Sequence, residues 1–249
     1  MSLSDQELER YARHIVLAQL GGVGQQKLKS ASIAVVGAGG IGCAVIPSLA
    51  GAGVGKMTII DCDEVELANL HRQPLYAEAD EGQSKAVLAA RFVKRLNRFV
   101  EVDAQRERIA SDNAAELLAG HDLVIDGSDN FATRLAVSDT LVELRIPLIS
   151  AAAIQFQGQV GLFDRQPCYR CFVGDAFDAD DCDNCSELGV LGALTAAVGS
   201  FAALLAINRI VRIGDDQAGQ LHLFDGEKLS WRTIRIPPDP ACRTCSSLV

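Results

Sequence analysis

One stretch, residues 31–72, constrains what this chain can fold into more than any other. It begins with an apolar run, Ile33-Ala34-Val35-Val36, and turns through Gly37-Ala38-Gly39-Gly40-Ile41-Gly42. A helical pattern follows to Leu49. A second apolar run, Met57-Thr58-Ile59-Ile60, ends in Asp61. This is strand, glycine turn, helix, strand, with an acid about 20 positions past the turn. Gly37 permits the tight turn, Gly39 lets a phosphate approach the backbone, and Gly42 lets the helix pack close to the strand. The helix N-terminus presents free N–H groups and a positive dipole end to that phosphate. Gly37, Gly39, Gly40 and Gly42 are therefore candidate nucleotide-binding residues, and Asp61 can take a ribose hydroxyl.

By itself that pattern says only nucleotide, and NAD is the default reading. The residues that follow favour a triphosphate. They run Asp61-Cys62-Asp63, then Asn69-Leu70-His71-Arg72-Gln73, then Gly82-Gln83-Ser84-Lys85. A dinucleotide pyrophosphate needs little side-chain charge beyond the helix end. A triphosphate needs cations, an Arg for bidentate contact and a Lys as a point charge. Arg72 and Lys85 supply them. The bland alternative is a solvated loop with ordinary surface charges.

The chain has 249 residues, 49% of them hydrophobic, enough for a sizeable core. A formal net charge of -9 argues against nucleic acid as a partner. The first residues, Met1-Ser2-Leu3-Ser4-Asp5-Gln6-Glu7, show no basic or apolar leader pattern, and we expect a cytoplasmic protein. Its eight cysteines then point to metal binding or catalysis rather than to disulfides. The segment Leu188 to Ile207 carries no charge and is long enough to span a bilayer. Its glycines and alanines make it only mildly apolar. We read it as a helix buried in an α/β core, with no membrane involved.

In chain order, Ser4 to Ala18 reads as a helix, with Ser4 as N-cap and Glu7 closing a capping box. Gly21-Gly22-Val23-Gly24 should break it before a short helix over Gln25 to Lys29. A helix runs from Lys85 to about Leu96, a strand covers 100–104, and a short helix covers 113–119. Asp122 to Asp126 is a buried strand that ends in Gly127-Ser128-Asp129-Asn130, and a helix starts near Phe131. Acids at the C-terminal end of a parallel strand sit where doubly wound sheets bind ligands. Residues 147–150 form a fifth strand, Gly158 to Phe163 begins an antiparallel section, and 221–225 with 229–236 form a hairpin. The fold class is α/β, a doubly wound, Rossmann-like, mostly parallel sheet extended by antiparallel strands. Neither a linker nor an internal repeat divides 1–249. We expect one domain, with N-terminal helices over 1–30, a nucleotide-binding half over 31–150 and a second half over 151–249.

Cys168-Tyr169-Arg170-Cys171 and Cys242-Arg243-Thr244-Cys245 are CxxC pairs, and four thiolates complete a tetrahedral zinc site. A third pair, Cys182-Asp183-Asn184-Cys185, competes with them. Asp178, Asp180, Asp181 and Asp183 surround it and would repel thiolates, which favours Cys168, Cys171, Cys242 and Cys245 for zinc. Free thiols or a redox dithiol are the alternative. Cys185 lies just before the long helix, where a thiol pKa is lowered, and is a candidate nucleophile. Cys43 and Cys62 read as packing residues.

Together these residues resemble the HesA/MoeB/ThiF family, prokaryotic relatives of ubiquitin-activating enzymes. The likeness runs through Arg10-Tyr11-Ala12-Arg13-His14-Ile15, Gly37 to Gly42, Asp61-Cys62-Asp63, Asn69 to Gln73, Gly82 to Lys85, Asp126 to Asn130 and both outer CxxC pairs. It implies an ATP-dependent adenylyltransferase. The substrate is a small ubiquitin-like sulfur-carrier protein with a C-terminal Gly-Gly, whose terminal glycine becomes an acyl-adenylate. By the resemblance, Gly39, Asp61 and Asp63 hold the nucleotide, and Asn69, Arg72, Gln73 and Lys85 hold its phosphates. Asp129 would hold Mg2+, and Asn130 would shape the site. Arg13 would reach the other subunit's phosphates, which implies a homodimer. The outer cysteines would bind structural Zn2+, making 151–249 the carrier-binding and zinc half. Cys185 would lie in a loop over the carrier tail. No rhodanese domain follows the second zinc pair, so the sulfur would come from a separate donor protein. Leu223-Phe224-Asp225-Gly226 with Trp231-Arg232 leans towards ThiF, and Leu3-Ser4-Asp5-Gln6-Glu7 towards MoeB. The carrier's pathway, thiazole (thiamine) or molybdenum cofactor, stays open. Two rival readings are an NAD-dependent oxidoreductase and a non-catalytic, zinc-pinned binding module.

Overall fold

Alternate residues of the central strands face opposite sides of one sheet, and both sides are covered. In β1 (Ser32–Val36), Ile33 and Val35 enter one core while Ala34 and Val36 enter the other. That is why these strands read as unbroken apolar runs rather than as alternating ones. The computed structural model describes residues 2–174 and 188–246. The other strands are β2 (Lys56–Ile60), β3 (Glu101–Gln105), β4 (Leu123–Asp126), β5 (Leu148–Ile154), β6 (Gln157–Phe163), β7 (Gln220–Asp225) and β8 (Ser230–Arg235). They form one eight-stranded sheet in the order β3-β2-β1-β4-β5-β6-β7-β8. Every pair from β3 through β5 is parallel, and every pair from β5 to β8 is antiparallel.

The described helices are α1 (Asp5–Arg10), α2 (Ala12–Ile15), α3 (Gly21–Ser30), α4 (Gly42–Ala52), α5 (Lys85–Leu96), α6 (Ala114–Leu118), α7 (Phe131–Leu144), α8 (Tyr169–Val173) and α9 (Gly192–Val211). Residues of α3, α4, α5 and α9 share the larger core, with Leu28, Ile46, Leu49 and Val198 wholly buried. Residues of α6, α7 and α8 cover the opposite face around Leu118, Leu141 and Tyr169. The apolar α9 is long and apolar enough to cross a membrane, yet half of its 18-residue window is buried inside the protein. It lies against the sheet and α4 on one side, but it is not buried all round as expected, since Leu204 on its other side is exposed.

Chain order reverses between β1 and β4, since β1 leads to β2 on one side and β4 to β5 on the other. Ligands bind at the strand C-termini beside such a switch point. Gly37 follows β1 and Gly127 follows β4, and the two touch. A Cβ on Gly37 would lie 3.1 Å from the Gly127 carbonyl.

The N-terminal segment differs from expectation in two ways. Ser4 caps α1 with the full capping box to Glu7, but the helix breaks at Tyr11 (φ -98°, ψ 13°) instead of running to Ala18. Tyr11 is pulled inward: its ring fills the space a Gly53 side chain would occupy, and its hydroxyl accepts a hydrogen bond from Asn97 Nδ2 at 2.8 Å. Leu8, on the same short helix, is left exposed. The glycines 21–24 do not end a helix. The segment enters α3 through Gly21 at φ +60° and forms its first turn, and Gly24 has to be bare because a Cβ there would sit 2.8 Å from Val211 Cγ1.

Close helix approach gives a stability prediction. A Cβ on Gly199 of α9 would lie 2.5 Å from the Ile41 carbonyl, whereas Gly51 of α4 has nothing within 4 Å. We expect Gly199→Ala to cost about 1–3 kcal/mol through overpacking. Gly51→Ala should be neutral or stabilise by up to about 1 kcal/mol through helix propensity. Paired thermal melts check this, and equal melting temperatures for the two variants would refute the close α9–α4 contact.

Candidate functional site

The glycine turn is tight because three of its backbone groups meet neighbours that leave no room for a side chain. Gly37 has φ +87°, a left-handed value. A Cβ on Gly42 would lie 2.2 Å from the Gly37 oxygen, and one on Gly40 would lie 3.0 Å from Thr195 Oγ1 of α9. Gly39 differs. A Cβ there would meet only Gln73 Nε2, at 3.6 Å. None of the described residues demands glycine at 39, so the open space fits an approaching phosphate.

Asp61, at the end of β2, braces the turn. Its Oδ2 accepts the Ala38 N–H at 2.7 Å and its Oδ1 accepts the Asp63 N–H at 2.8 Å. Burial pushes its carboxyl above the usual range against the pull of these two N–H groups. Lys85, the first residue of α5, is buried at 4% exposure, and its Nζ lies 3.3 Å from Asp63 Oδ2. Arg72 follows a short 3-10 turn (Leu67–Asn69). Its guanidinium donates to Asn69 Oδ1 at 2.5 Å and lies 3.0 Å from His71 Nε2. The Asn69–Gln73 loop is held down by α9: a Cβ on Gly192 would lie 2.3 Å from the His71 oxygen.

Five buried side-chain polar atoms lack a hydrogen-bond partner among the described residues. Four of them, Gln73 Oε1, Ser84 Oγ, Asp126 Oδ2 and Ser128 Oγ, belong to the segments that surround the glycine turn. An unsatisfied buried polar atom is uncommon and calls for a partner. Gln73 stands beside the open Gly39 and Ser84 directly precedes Lys85, so these two orphan oxygens fit a polar ligand there.

The loop after β4 completes the rim. Asp126 is wholly buried and its Oδ1 accepts the Ser128 N–H at 2.9 Å. Asp129 is exposed at the tip. Asn130 caps α7, its Oδ1 accepting the Thr133 N–H at 3.0 Å. Thus Gly37, Gly39, Gly40, Gly42, Asp61, Asp63, Asn69, Arg72, Gln73, Lys85, Asp129 and Asn130 gather at the strand C-termini. Arg13 does not join them. It is exposed on α2, whose neighbour Tyr11 packs on Gly53 beyond the far end of α4. Cys185 lies outside the described residues, as do Cys182 and the acids Asp178, Asp180, Asp181 and Asp183.

The outer cysteines do converge. Cys168 Sγ lies 3.6 Å from Cys242 Sγ and 4.0 Å from Cys171 Sγ, and Cys171 Sγ lies 3.4 Å from Cys245 Sγ. All four sulfurs fall within 4.8 Å of one another. A tetrahedral Zn–S distance of about 2.3 Å places sulfurs about 3.8 Å apart, so the set fits one soft divalent ion. Asp139 of α7 ties the two pairs together: Arg170 Nε and Nη2 donate to it at 2.7 Å each, and Thr244 Oγ1 donates at 2.9 Å. Cys43 is buried, as expected of a packing residue, whereas Cys62 is exposed and does not pack. Burial pushes the Cys43 thiol up to about 12, and burial and then Asp63 raise that of Cys62.

A model described as the ThiF family matches residues 11–244. The chain belongs to the ThiF family. Similar proteins include the adenylyltransferase and sulfurtransferase MOCS3 of Anopheles gambiae. The two are 42% identical over 247 residues, which is 98% of this chain and 56% of that one. A sulfur carrier protein adenylyltransferase of Thermus thermophilus is also 42% identical, over 98% of this chain and 93% of its own. The chain thus spans about half the length of the MOCS3 proteins it matches. In three dimensions it is similar to E. coli MccB solved with MccA-N7isoASN, at a TM-score of 0.84 and 21% identity, covering 98% of this chain and 75% of that one. MccB solved with ATP gives a TM-score of 0.82 at 21% identity, over 97% and 75%. At that identity the likeness is one of fold.

Two residues of this ThiF-family site escaped the sequence reading. Tyr76 is buried, and its hydroxyl donates to the Ala38 carbonyl at 2.7 Å, so it holds the glycine turn from behind. No spacing rule points to it. Arg134 is buried on α7 at 5% exposure and donates to the Ser128 carbonyl. An arginine on the helix face shared by Leu135, Ser138 and Leu141 was the available signal. For the metal set, Cys168→Ser or Cys245→Ser should lose bound metal and lower the melting temperature, because a structural metal contributes folding energy. Cys62→Ser should change neither. Elemental analysis beside a melt decides, and full metal retention in both ligand variants would dismiss the four-sulfur site.

Proposed function

We propose that this protein uses ATP to adenylylate the C-terminal glycine of a small ubiquitin-like sulfur-carrier protein, releasing pyrophosphate. The observation that carries this reading is the rim of the glycine turn. It offers Lys85 and Arg72, buried oxygens of Gln73 and Ser84 with no partner among the described residues, and an open Gly39, more than a dinucleotide pyrophosphate needs. The names of the 42% identical relatives point the same way. An NAD-dependent oxidoreductase leaves these cations without a task, and a non-catalytic module leaves the whole rim without one.

The carrier carboxylate is ionised at pH 7, so its attack needs no general base. One carboxylate oxygen bonds to the α-phosphorus, and the bond from that phosphorus to the bridging oxygen breaks. Pyrophosphate leaves with its electron pair. Gly39 lets the phosphates reach the backbone, Asp61 takes the ribose, and Arg72 and Lys85 offset the charge that grows at the α-phosphate and the leaving group. Lys85 must first part from Asp63, which faces the same space. Asp129 would hold Mg2+, which supplies further positive charge to the phosphates. Structural Zn2+ suits the four sulfurs.

The exposed Arg13 serves a second subunit in this reading. Val16, Leu17 and Val23 beside it are apolar and exposed, which supports a homodimer built on this end of the chain. Cys185 would act after adenylylation, when a separate donor protein supplies sulfur. The protein works in the cytoplasm, in the thiamine or the molybdenum cofactor pathway.

Two experiments test the reading. Purified protein is given ATP and each of the two candidate carriers, and the acyl-adenylate is followed by mass spectrometry beside ATP–pyrophosphate exchange. Arg72→Ala and Lys85→Ala should stay folded and lose exchange by about 100-fold or more. Cys185→Ser should keep it. Wild-type exchange in both cation variants would remove the site assignment. In the second experiment, inactive Arg13→Ala is mixed with inactive Asp129→Ala under subunit exchange. Activity should return, since each mixed dimer holds one intact site. No recovery despite proven exchange would remove the trans role of Arg13.

A further inference from the structure

The four-cysteine knuckle and the Asp129 loop lie on the same side of the sheet, and buried side chains join them. Arg134 stands one helical turn into α7. Its Nη1 donates to Ser150 Oγ at 3.0 Å, and its Nη2 donates to the Ala151 carbonyl at 2.9 Å and to the Ser128 carbonyl. Ser150 and Ala151 belong to β5, and Ser128 immediately precedes Asp129. The planar guanidinium therefore fastens the loop to the sheet by a fixed fork.

The knuckle reaches the same guanidinium. Tyr169 sits inside the first CxxC pair, between Cys168 and Cys171, and is 2% exposed. Phe163 and Phe172 hold its ring edge-on at 5.6 and 6.0 Å between centroids. Its hydroxyl neighbours Arg134 and Ser150. On the next turns of α7, Asp139 binds Arg170 and Thr244, the third residues of the two CxxC pairs. One helix thus grips the knuckle at Asp139 and the Asp129 loop at Arg134, and Tyr169 closes the circuit. The other bonds of the loop hold its two ends: the Gly127 N–H donates to the Val36 carbonyl, Asp126 Oδ1 accepts the Ser128 N–H, and Asn130 caps α7.

We propose that Arg134 and Tyr169 are positioning residues that set the place of the Asp129 loop from the four-cysteine knuckle. The knuckle then does more than pin the C-terminal segment, because it fixes the tyrosine that steadies the arginine. The consequence for catalysis rests on the reading of Asp129 given above, but the mechanical link does not.

The test uses the full chain with its metal. Tyr169→Phe removes one hydroxyl and keeps the ring between its two aromatic neighbours, and Arg134→Lys keeps the charge and loses the fork. Metal content and a cooperative melt establish that each variant is folded. Amide hydrogen exchange over 127–130 and the Mg2+ concentration for half-maximal ATP–pyrophosphate exchange are then compared with wild type. Both should rise about fivefold, the size of one lost hydrogen bond, while the KM for the carrier stays constant. A purely structural role would lower the melting temperature and move neither readout. That result in Tyr169→Phe overturns the proposal, whatever Arg134→Lys does. If wild type itself shows no exchange with either carrier, the proposed function fails, and the loop amides still decide the mechanical link.

Discussion

At the tip of β1 the backbone touches the start of α4 on one side and the loop after β4 on the other. The Gly37 oxygen lies where a Gly42 Cβ would be, and the Gly127 carbonyl is 3.1 Å from where a Gly37 Cβ would be. These contacts leave no space for side chains, and they aim the first N–H groups of α4 at the switch point of the sheet. Asp61 and Tyr76 then brace the turn from two sides through the Ala38 N–H and carbonyl. α9 closes over it through Thr195 and over the Asn69–Gln73 loop through Gly192. The site is therefore a place where three segments meet at bare backbone, and its polar side chains are added around that frame.

Charge decides what the frame holds. The protein carries a net charge of -9, yet the rim presents Lys85 and Arg72 with Asp63, Asp126 and Asp129 among them. Lys85 is nearly buried, and a buried ammonium is costly unless an anion accompanies it. Asp63 provides that partner at 3.3 Å, on an exposed side chain that can give way. A polyphosphate can replace the aspartate without leaving the cation unpaired. The same logic suits the buried oxygens of Gln73 and Ser84, which lack a partner among the described residues and belong to segments beside Gly39 and Lys85.

The helix α7 links the two chemical centres. Its N-cap Asn130 ends the Asp129 loop, its Arg134 fastens that loop to β5, and its Asp139 joins the two cysteine pairs. A four-cysteine knuckle could have hung on a peripheral loop. Here both pairs lean on a helix whose other end shapes the nucleotide rim, so stability of the knuckle and geometry of the rim share one rigid element.

Much of this was written in short stretches of sequence. The glycine turn, the buried strands, the Ser4–Glu7 capping box, the final hairpin and the CxxC pairs each depend on residues a few positions apart, whose backbone preferences and periodicities act locally. Arg72, Lys85 and Asp129 were legible because each stands beside a recognisable turn or strand end. The tertiary structure alone decided the rest. Tyr11 breaks the first helix because Gly53, far along the chain, leaves its ring a seat. Gly24 enters a helix because Val211 lies against it, and Arg134 and Asp139 acquire roles only when Ser128, Ser150, Arg170 and Thr244 are brought alongside. Those roles come from close packing and directional hydrogen bonds between segments distant in the chain. Local preference cannot encode them, because the partner atoms exist only after the sheet has formed.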